Sequence, residues 1–597
     1  MKQKIRAGFR PDIIAVAFFA AFAASSALTL LPHVLRGEDL TAAAFLSSGS
    51  LPLTALFLAG FFCAYLLLGA VFSVLLPACG LLSGTFLYAS VLLIGVYSAW
   101  TYVVMTALFT LSFFVFCHYV HPVTSELTKR RLGLLVAVLA AIGYATAIGL
   151  IALYRVFSYT STCFDFAIFC QMFHSMAQDL TQSVTCERNQ ALQHFAVHIS
   201  PVYYLLLPVY WLFPYPETLE LAQVFVTLLA AVPLYLLAKQ RGLRGAVPGI
   251  LAACLLLFVP FVGGSIYDLH ENCFLTLFLL FLFYFCEKGS IAGTAVFAVL
   301  VCSVKEDAPV YVAFYALYVL LSSVRLQKGG ARRRRLLLGT GMLFLAVLWF
   351  AAACAILSSY GLGVMTDRFS NLTGGENSLA AVVKTALTNP GVLFRAIFND
   401  ASKIDYMICL FVPLCFVPFL SKKYERLVLV LPAILYHFLS DYTYQHQIYY
   451  QYAFGTTAFL FFAVILNLAD FPREKQSRTA LLSLGLSLLL FFGTITPKFS
   501  YIRKYENGKE AFADVSECLS QIPEDASVCA STCLCVRLSN RAELYNIDRS
   551  GYPTDTDYVI LDLRYTNGKT FYPQYSVSPR WEEVASVPQY LAVFRAK

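Results

Sequence analysis

Charged side chains are scarce in this sequence. Asp, Glu, Lys and Arg supply only 13% of its 597 residues against 59% that are hydrophobic, too little polar surface to cover a globule in water. A soluble protein is therefore excluded, and a polytopic membrane protein is expected. The +8 net charge is no nucleic-acid signal, because its densest cluster, "ARRRR" at 331–335, directly precedes an apolar run, where basic residues set topology. No nucleic-acid partner is expected. The tail beyond residue 498 has neither a G-x-G-x-x-G nor a P-loop, which leaves nucleotide binding without support. Cys533 and Cys535 have no second cysteine pair and no nearby histidines, which argues against zinc.

What is abundant is apolar run. Runs at 13–32, 52–76, 81–98, 101–121 and 133–154 are separated by short polar breaks. The first is long enough to be retained as a span, for which roughly 20 residues are needed. With the basic N-terminus and "TKRR" (128–131) both cytoplasmic, the fifth run delivers the chain outside near residue 155. "AKQRGLR", "CEKGS", "RLQKGGARRRR", "SKKYER" and "PREKQSR" then fall inside, while "YDLHEN", "KEDAPVY" and "DYTYQHQIYYQY" fall outside. This alternation gives about fifteen spans, N-terminus in and C-terminus out. The expected divisions are an N-terminal extension at 1–132, a transmembrane core at 133–497 with a long outside loop at 155–216, and a small α/β domain at 498–597. The fold class is thus mostly α, in the bilayer of the cell membrane, with an extracytoplasmic α/β tail.

The useful consequence is which residues share a face. Asp165, His198, Asp268, His270, Glu271, Lys305, Glu306, Asp307 and His446 all interrupt or cap apolar runs on the outside. Any one of them alone reads as an interfacial residue snorkelling to water. As a set they mark function, since ionisable groups at membrane depth are costly.

The segments "CFDFAIFCQMF", "HFAVHISPVYYLLLPVYWLFP", "IYDLHENCF" and "SVKEDAPVYVAFYALYVLL" resemble the bacterial membrane protein family of unknown function 2079. "HISP" keeps His198, Ser200 and Pro201 of its usual His-Phe-Ser-Pro, and "YDLHEN" keeps Asp268, His270 and Glu271 but lacks a proline. That layout is similar to the GT-C glycosyltransferases. The resemblance implies a polyprenyl-phosphate-linked sugar donor, an extracytoplasmic glycan, lipid or protein acceptor, and Asp165 as the catalytic acid of the first outside loop.

Such a transfer needs a base for the acceptor hydroxyl and positive charge at the leaving phosphate. Asp165, flanked by Phe164, Phe166 and Phe169, is expected to have its pKa raised by low-dielectric surroundings and to act as the base. Gln171 and His174 are candidates to orient the acceptor. Lys305, His446 and His198 are candidates for the leaving phosphate, with Tyr449 and Tyr452 as donors or stacking surfaces, and Asp268 and His270 as further binding residues. Glu271, Glu306 and Asp307 are candidate ligands for a divalent cation, Mg or Mn. The plainer alternative is that Lys305 merely pairs with Glu306 or Asp307. Cys163, Cys170, Cys186, Cys518, Cys529, Cys533 and Cys535 face an oxidising side and could form disulfides. A transporter or lipid flippase, or a non-catalytic envelope assembly protein, is the alternative function. A transporter would place its charges at the midplane within repeated broken helices.

Overall fold

The computed structural model describes residues 51–71, 126–360, 366–373, 379–398 and 400–597, with a few isolated positions before residue 26. The chain is mostly helical, because in lipid a helix satisfies every backbone group within its own segment. Of the expected N-terminal spans, the second appears as the helix Leu51–Val71; the first, third and fourth lie largely outside the described residues.

Four described helices are long and apolar enough to cross a bilayer: Lys129–Phe157, Pro216–Gln240, Gly330–Ser359 and the apolar part of Arg473–Ser520. Val247–Leu256 and Val259–Ile266, bent by 42° at their junction, make a fifth if taken as one span. The count of about fifteen is not reached among the described residues. Runs that read as full spans fold as helices of 10 to 17 residues, such as Ile291–Cys302 and Pro309–Ser323, because polar motifs end them early.

Glycine sets the closest helix contacts. A Cβ on Gly133 or Gly249 would overlap the other helix's backbone, so Glu126–Phe157 and Val247–Leu256 touch main chain to main chain. Gly263 does the same for the aromatic loop: a Cβ there would strike the Ile448 carbonyl. The loop 441–452 is thereby laid against the helix Val259–Ile266, next to "YDLHEN".

Loops that charge alternation assigns to the same side do meet. Glu287 of "CEKGS" accepts Arg335 of "ARRRR" at 2.9 Å and also pairs with Arg241 of "AKQRGLR". Arg325 bridges Glu425 at 2.6 Å, and Lys423 and Arg426 both reach Asp470.

The tail is the expected small α/β domain. Strands β3 (Val528–Ala530), β4 (Leu544–Asn546), β5 (Tyr558–Asp562), β6 (Trp581–Val587) and β7 (Leu591–Ala596) form a sheet in the order β4-β3-β5-β7-β6, with β3 parallel to β4 and β5 and the last two pairings antiparallel. β1 (Ser183–Val184) and β2 (Leu192–Gln193) make a separate hairpin in the first outside loop. "CLCVRLSN" is a run of turns, whereas Thr566–Ser576 is a helix. The helix Ser500–Ser520 buries Phe512, Val515 and Leu519 in the main core shared with β3 and β4.

This domain is clamped to the loop that carries Asp165. Arg564, held by Asp562 at 2.6 Å, donates to the carbonyls of Ser158 and Tyr159, both at 2.8 Å. Asn189 donates to Asn546 O at 2.9 Å and accepts from Asn546 N at 2.7 Å. The expected loop and tail disulfides are not formed: Cys163, Cys170, Cys186, Cys518, Cys529, Cys533 and Cys535 are free thiols, all but Cys518 buried. Hydrogen bonds, rather than covalent staples, hold the junction.

Candidate functional site

Asp165 stands at the N-cap of the helix Phe166–Asp179, where an aspartate ordinarily accepts from the first-turn amides. Here it makes no side-chain cap bond. Its carboxylate turns instead to Tyr267, whose hydroxyl donates to Oδ2 at 2.5 Å, and to His270, whose Nε2 lies 3.6 Å from Oδ1. His270 Nδ1 faces the Asp268 carbonyl at 2.9 Å; a carbonyl only accepts, so Nδ1 carries a proton and Nε2 is the atom offered to Asp165. Tyr267 stacks on the His270 ring, and Phe169 meets it edge-on, which fixes the imidazole from two sides.

The Asp165 pKa is not raised, as its phenylalanine neighbours imply, but lowered. Burial alone would raise it, but the hydrogen bond and charge of His270, with the Tyr267 hydroxyl, outweigh burial. Phe164 is half exposed and shields little. His270 moves the opposite way: burial disfavours its cation, and Asp165 more than restores it, for a net rise.

From His270 the network continues inward. Glu271 receives Lys305 Nζ at 2.7 Å and the Tyr203 hydroxyl at 2.6 Å, while its own amide donates back to Tyr203 at 3.0 Å. Burial opposes the Glu271 charge, but Lys305 and His270 hold the carboxyl well below its usual range. Glu306, next to Lys305, receives His198 Nδ1 at 2.9 Å and the Ile199 amide at 3.2 Å; burial works against its charge, yet His198 and Lys305 keep it at about 2. Asp307 has its pKa raised, by burial and then by Glu306. Lys305 therefore pairs with Glu271, not with Glu306 or Asp307 as adjacency suggests.

Accessibility separates the acids. The Asp165 side chain keeps 34% of its surface open, whereas Glu271 and Asp268 keep 2% each. Asp268 is turned away, in a buried bridge to Arg155 Nη2 at 2.9 Å, with Glu220 as a further buried acid. Asp165 is thus the carboxylate of this network placed to meet a substrate.

The aromatic loop closes over it. Tyr450 packs 5.0 Å from Tyr267, and Tyr442 packs 6.1 Å from Tyr452. Arg368 lies over both Tyr442 and Tyr452, at 4.8 and 5.4 Å. Burial raises the Tyr452 phenol, against the pull of Arg368 and Lys305.

Asp165, His198, His270, Glu271, Lys305 and Glu306 are accordingly brought into one continuous network. Four other candidates are not. Gln171 accepts from the amides of Thr185 and Cys186 and donates to Thr185 Oγ1 and the carbonyls of Arg541 and Ala542, so its amide is used up in joining loop to tail. His174 pairs with Gln178 on the helix surface. Tyr449 donates to Thr494 O at 3.2 Å beneath Lys498. His446 bonds Ser402 at 2.8 Å in a separate cavity.

The proposed cation ligands do not fit a metal as a set. Glu271 is neutralised by Lys305 and Glu306 is bonded to His198, and among the described residues no three His, Cys, Asp or Glu side chains are grouped to hold an ion. Residues missed in the sequence are Tyr267, Tyr203, Arg155, Glu220 and Arg368. Arg155 and Glu220 left a signal, as lone charges within apolar runs that need buried partners. Tyr203 and Tyr267 left none beyond adjacency to motifs.

A family model described as a predicted membrane protein, DUF2079, matches residues 155–585. Among solved structures the chain is similar to ArnT from Cupriavidus metallidurans bound to undecaprenyl phosphate, at 12% identity and a TM-score of 0.46 over 76% of this chain and 97% of that one. It is also similar to ArnT from the same organism in the apo state, at 13% identity and a TM-score of 0.40 over 76% and 98%. Both scores lie below 0.5 and carry no functional weight. No curated protein matches the chain.

Proposed function

The chain belongs to the DUF2079 family of membrane proteins, and from that premise we propose that it is a glycosyltransferase passing a sugar from a polyprenyl-phosphate donor to an acceptor hydroxyl outside the cytoplasm. The observation that supports this reading is the state of Asp165: one-third open, with its ionised form favoured, and held by Tyr267 and His270 at the mouth of a buried ion network. A carboxylate so placed can take the proton of an attacking hydroxyl. For the leaving phosphate the cation proposed is Arg368, which lies over Tyr442 and Tyr452 of the aromatic loop. A guanidinium suits a phosphate because its donors form a planar fork. The N-terminus is placed in the cytoplasm, and the Asp165 face and the α/β tail outside, on the charge alternation of the loops.

The direct test is transfer from radiolabelled polyprenyl-phosphate sugars by the purified protein in lipid. Release of free lipid phosphate with label moving to an acceptor is expected. Absence of turnover across common donors and membrane-extract acceptors would reject the reading.

The pH profile supplies an independent check. Because the Asp165 pKa is lowered, its carboxylate stays ionised at neutral pH, and activity should fall only below the usual carboxylate range. His270→Gln removes the largest lowering influence and leaves burial, so the acid limb of kcat/KM should move upward in pH. An acid limb that stays in place in this variant would separate His270 from the proton-accepting group.

A further inference from the structure

Beside the Asp165 network lies a second cavity, of about 340 Å³, lined by Asn371, Asp400, Ala401, Lys403, Asp441 and His446. That volume falls within the roughly 300–1,000 Å³ of small-molecule sites. The helix Ala401–Phe411 is capped here by Asp400, whose Oδ1 accepts both the amide and the hydroxyl of Ser402, at 2.8 and 2.9 Å. Ser402 has a single hydroxyl proton and spends it on Asp400. At its 2.8 Å contact with His446 Nδ1 the serine oxygen must therefore accept, which puts a proton on Nδ1. In the neutral imidazole Nε2 then carries a lone pair, and the ring that bears it is 2% exposed, lines the cavity, and has no partner at Nε2 among the described residues.

Two more acceptors converge. Asp441 uses Oδ2 for the Ser370 hydroxyl and the Asn371 amide, at 2.6 and 3.1 Å, leaving Oδ1 without a partner among the described residues. Asp400 Oδ2 is in the same position. The cation in the lining is already committed: Lys403 Nζ donates to the carbonyls of Ala396 and Phe438, at 2.7 and 2.8 Å. Burial and Lys403 lower the His446 pKa, against the pull of Asp400, so the ring is neutral near pH 7. The cavity thus offers lone pairs and a net negative field. An anionic phosphate would meet two carboxylates, which removes His446 from the leaving-group role its sequence position implied.

We propose that this cavity is the acceptor subsite and takes an uncharged, hydroxyl-rich saccharide, whose hydroxyls donate to His446 Nε2, Asp400 and Asp441. The assignment rests on the glycosyltransferase reading for the word acceptor, while the saccharide chemistry follows from the cavity itself. Its position fits that role, since the aromatic loop 441–452 supplies both this cavity, through Asp441 and His446, and the Tyr450 ring beside Tyr267.

The test is equilibrium binding to the full-length protein, by calorimetry or saturation-transfer NMR, with a panel of uncharged mono- and disaccharides as probes and inorganic phosphate as the anionic control. At least one saccharide should bind saturably. Asp441→Asn, at an exposed position where folding is not at stake, and His446→Phe should each weaken it about tenfold to a hundredfold, the loss of one strong hydrogen bond. Saccharide binding with those losses, in a protein that shows no transfer, would keep the site and reject the glycosyltransferase reading. No saccharide binding, binding indifferent to Asp441 and His446, or phosphate binding that the same substitutions weaken would overturn the site.

Discussion

Asp165→Asn is expected to lower sugar transfer by about a hundredfold to ten-thousandfold, the usual cost of removing a general base. The amide has the size of the carboxylate and its oxygen can still accept the Tyr267 hydroxyl now 2.5 Å away, so the local packing survives. What disappears is the capacity to take a proton and the charge that raises the His270 pKa. Because a third of this side chain is open, the stability change should be small: solvent screens an ion pair that also sits at 3.6 Å. The measurement is single-turnover transfer alongside thermal unfolding of the purified variant. Near-normal turnover in a folded protein would remove Asp165 from the chemistry, while a large fall in unfolding temperature would make it a structural residue.

Lys305→Met is expected to act on the fold rather than on the substrate. Methionine keeps much of the apolar stem but deletes the ammonium that lies 2.7 Å from Glu271, where both groups are nearly inaccessible. Glu271 would keep only the Tyr203 hydroxyl and a charge buried among apolar helices. Breaking a buried pair from one side typically costs about 3–5 kcal/mol, a large share of the stability of most folds. The companion variant Lys305→Met with Glu271→Gln should recover much of that loss, because an amide needs no counter-ion. Denaturant or thermal unfolding in detergent or nanodiscs reads both. If the single variant unfolds normally yet turns over slowly, and the double variant rescues nothing, Lys305 contacts the substrate as its motif first implied.

The two expectations separate residues that look alike in sequence. Asp165 and Glu271 are each an acid beside apolar helices, and Lys305 and Arg368 are each a cation outside the spans. Only their partners distinguish them. Glu271 is closed in by Lys305 and Tyr203, whereas Asp165 has a weak ion pair and an open edge.

Much of the architecture was legible one residue at a time. The shortage of charge dictated a membrane protein, because a bilayer is the solvent that tolerates such a surface. Basic loops alternating with apolar runs grouped Arg241, Glu287 and Arg335 on one side, and those side chains do meet. The small α/β domain expected in the tail is present as β3 to β7 with the helix Thr566–Ser576. Span number was less legible: hydropathy measures apolarity, whereas helix length is also set by where polar motifs and bends interrupt the hydrogen-bond ladder, as between Leu256 and Val259.

The sequence by itself put Asp165, His198, Asp268, His270, Glu271, Lys305, Glu306, Asp307 and His446 in loops that charge alternation assigns to one side, a larger set than the six that gather. Only the tertiary structure decided how they pair. Pairing depends on distances of a few ångströms between segments over a hundred residues apart, as for Tyr267 with Asp165 and His198 with Glu306. The same geometry sent Gln171 into a joint with the tail, moved His446 to a second cavity, and reversed the shift at Asp165. Phenylalanines next to it in the chain signal desolvation, but a histidine brought across by the fold supplies the larger opposing field.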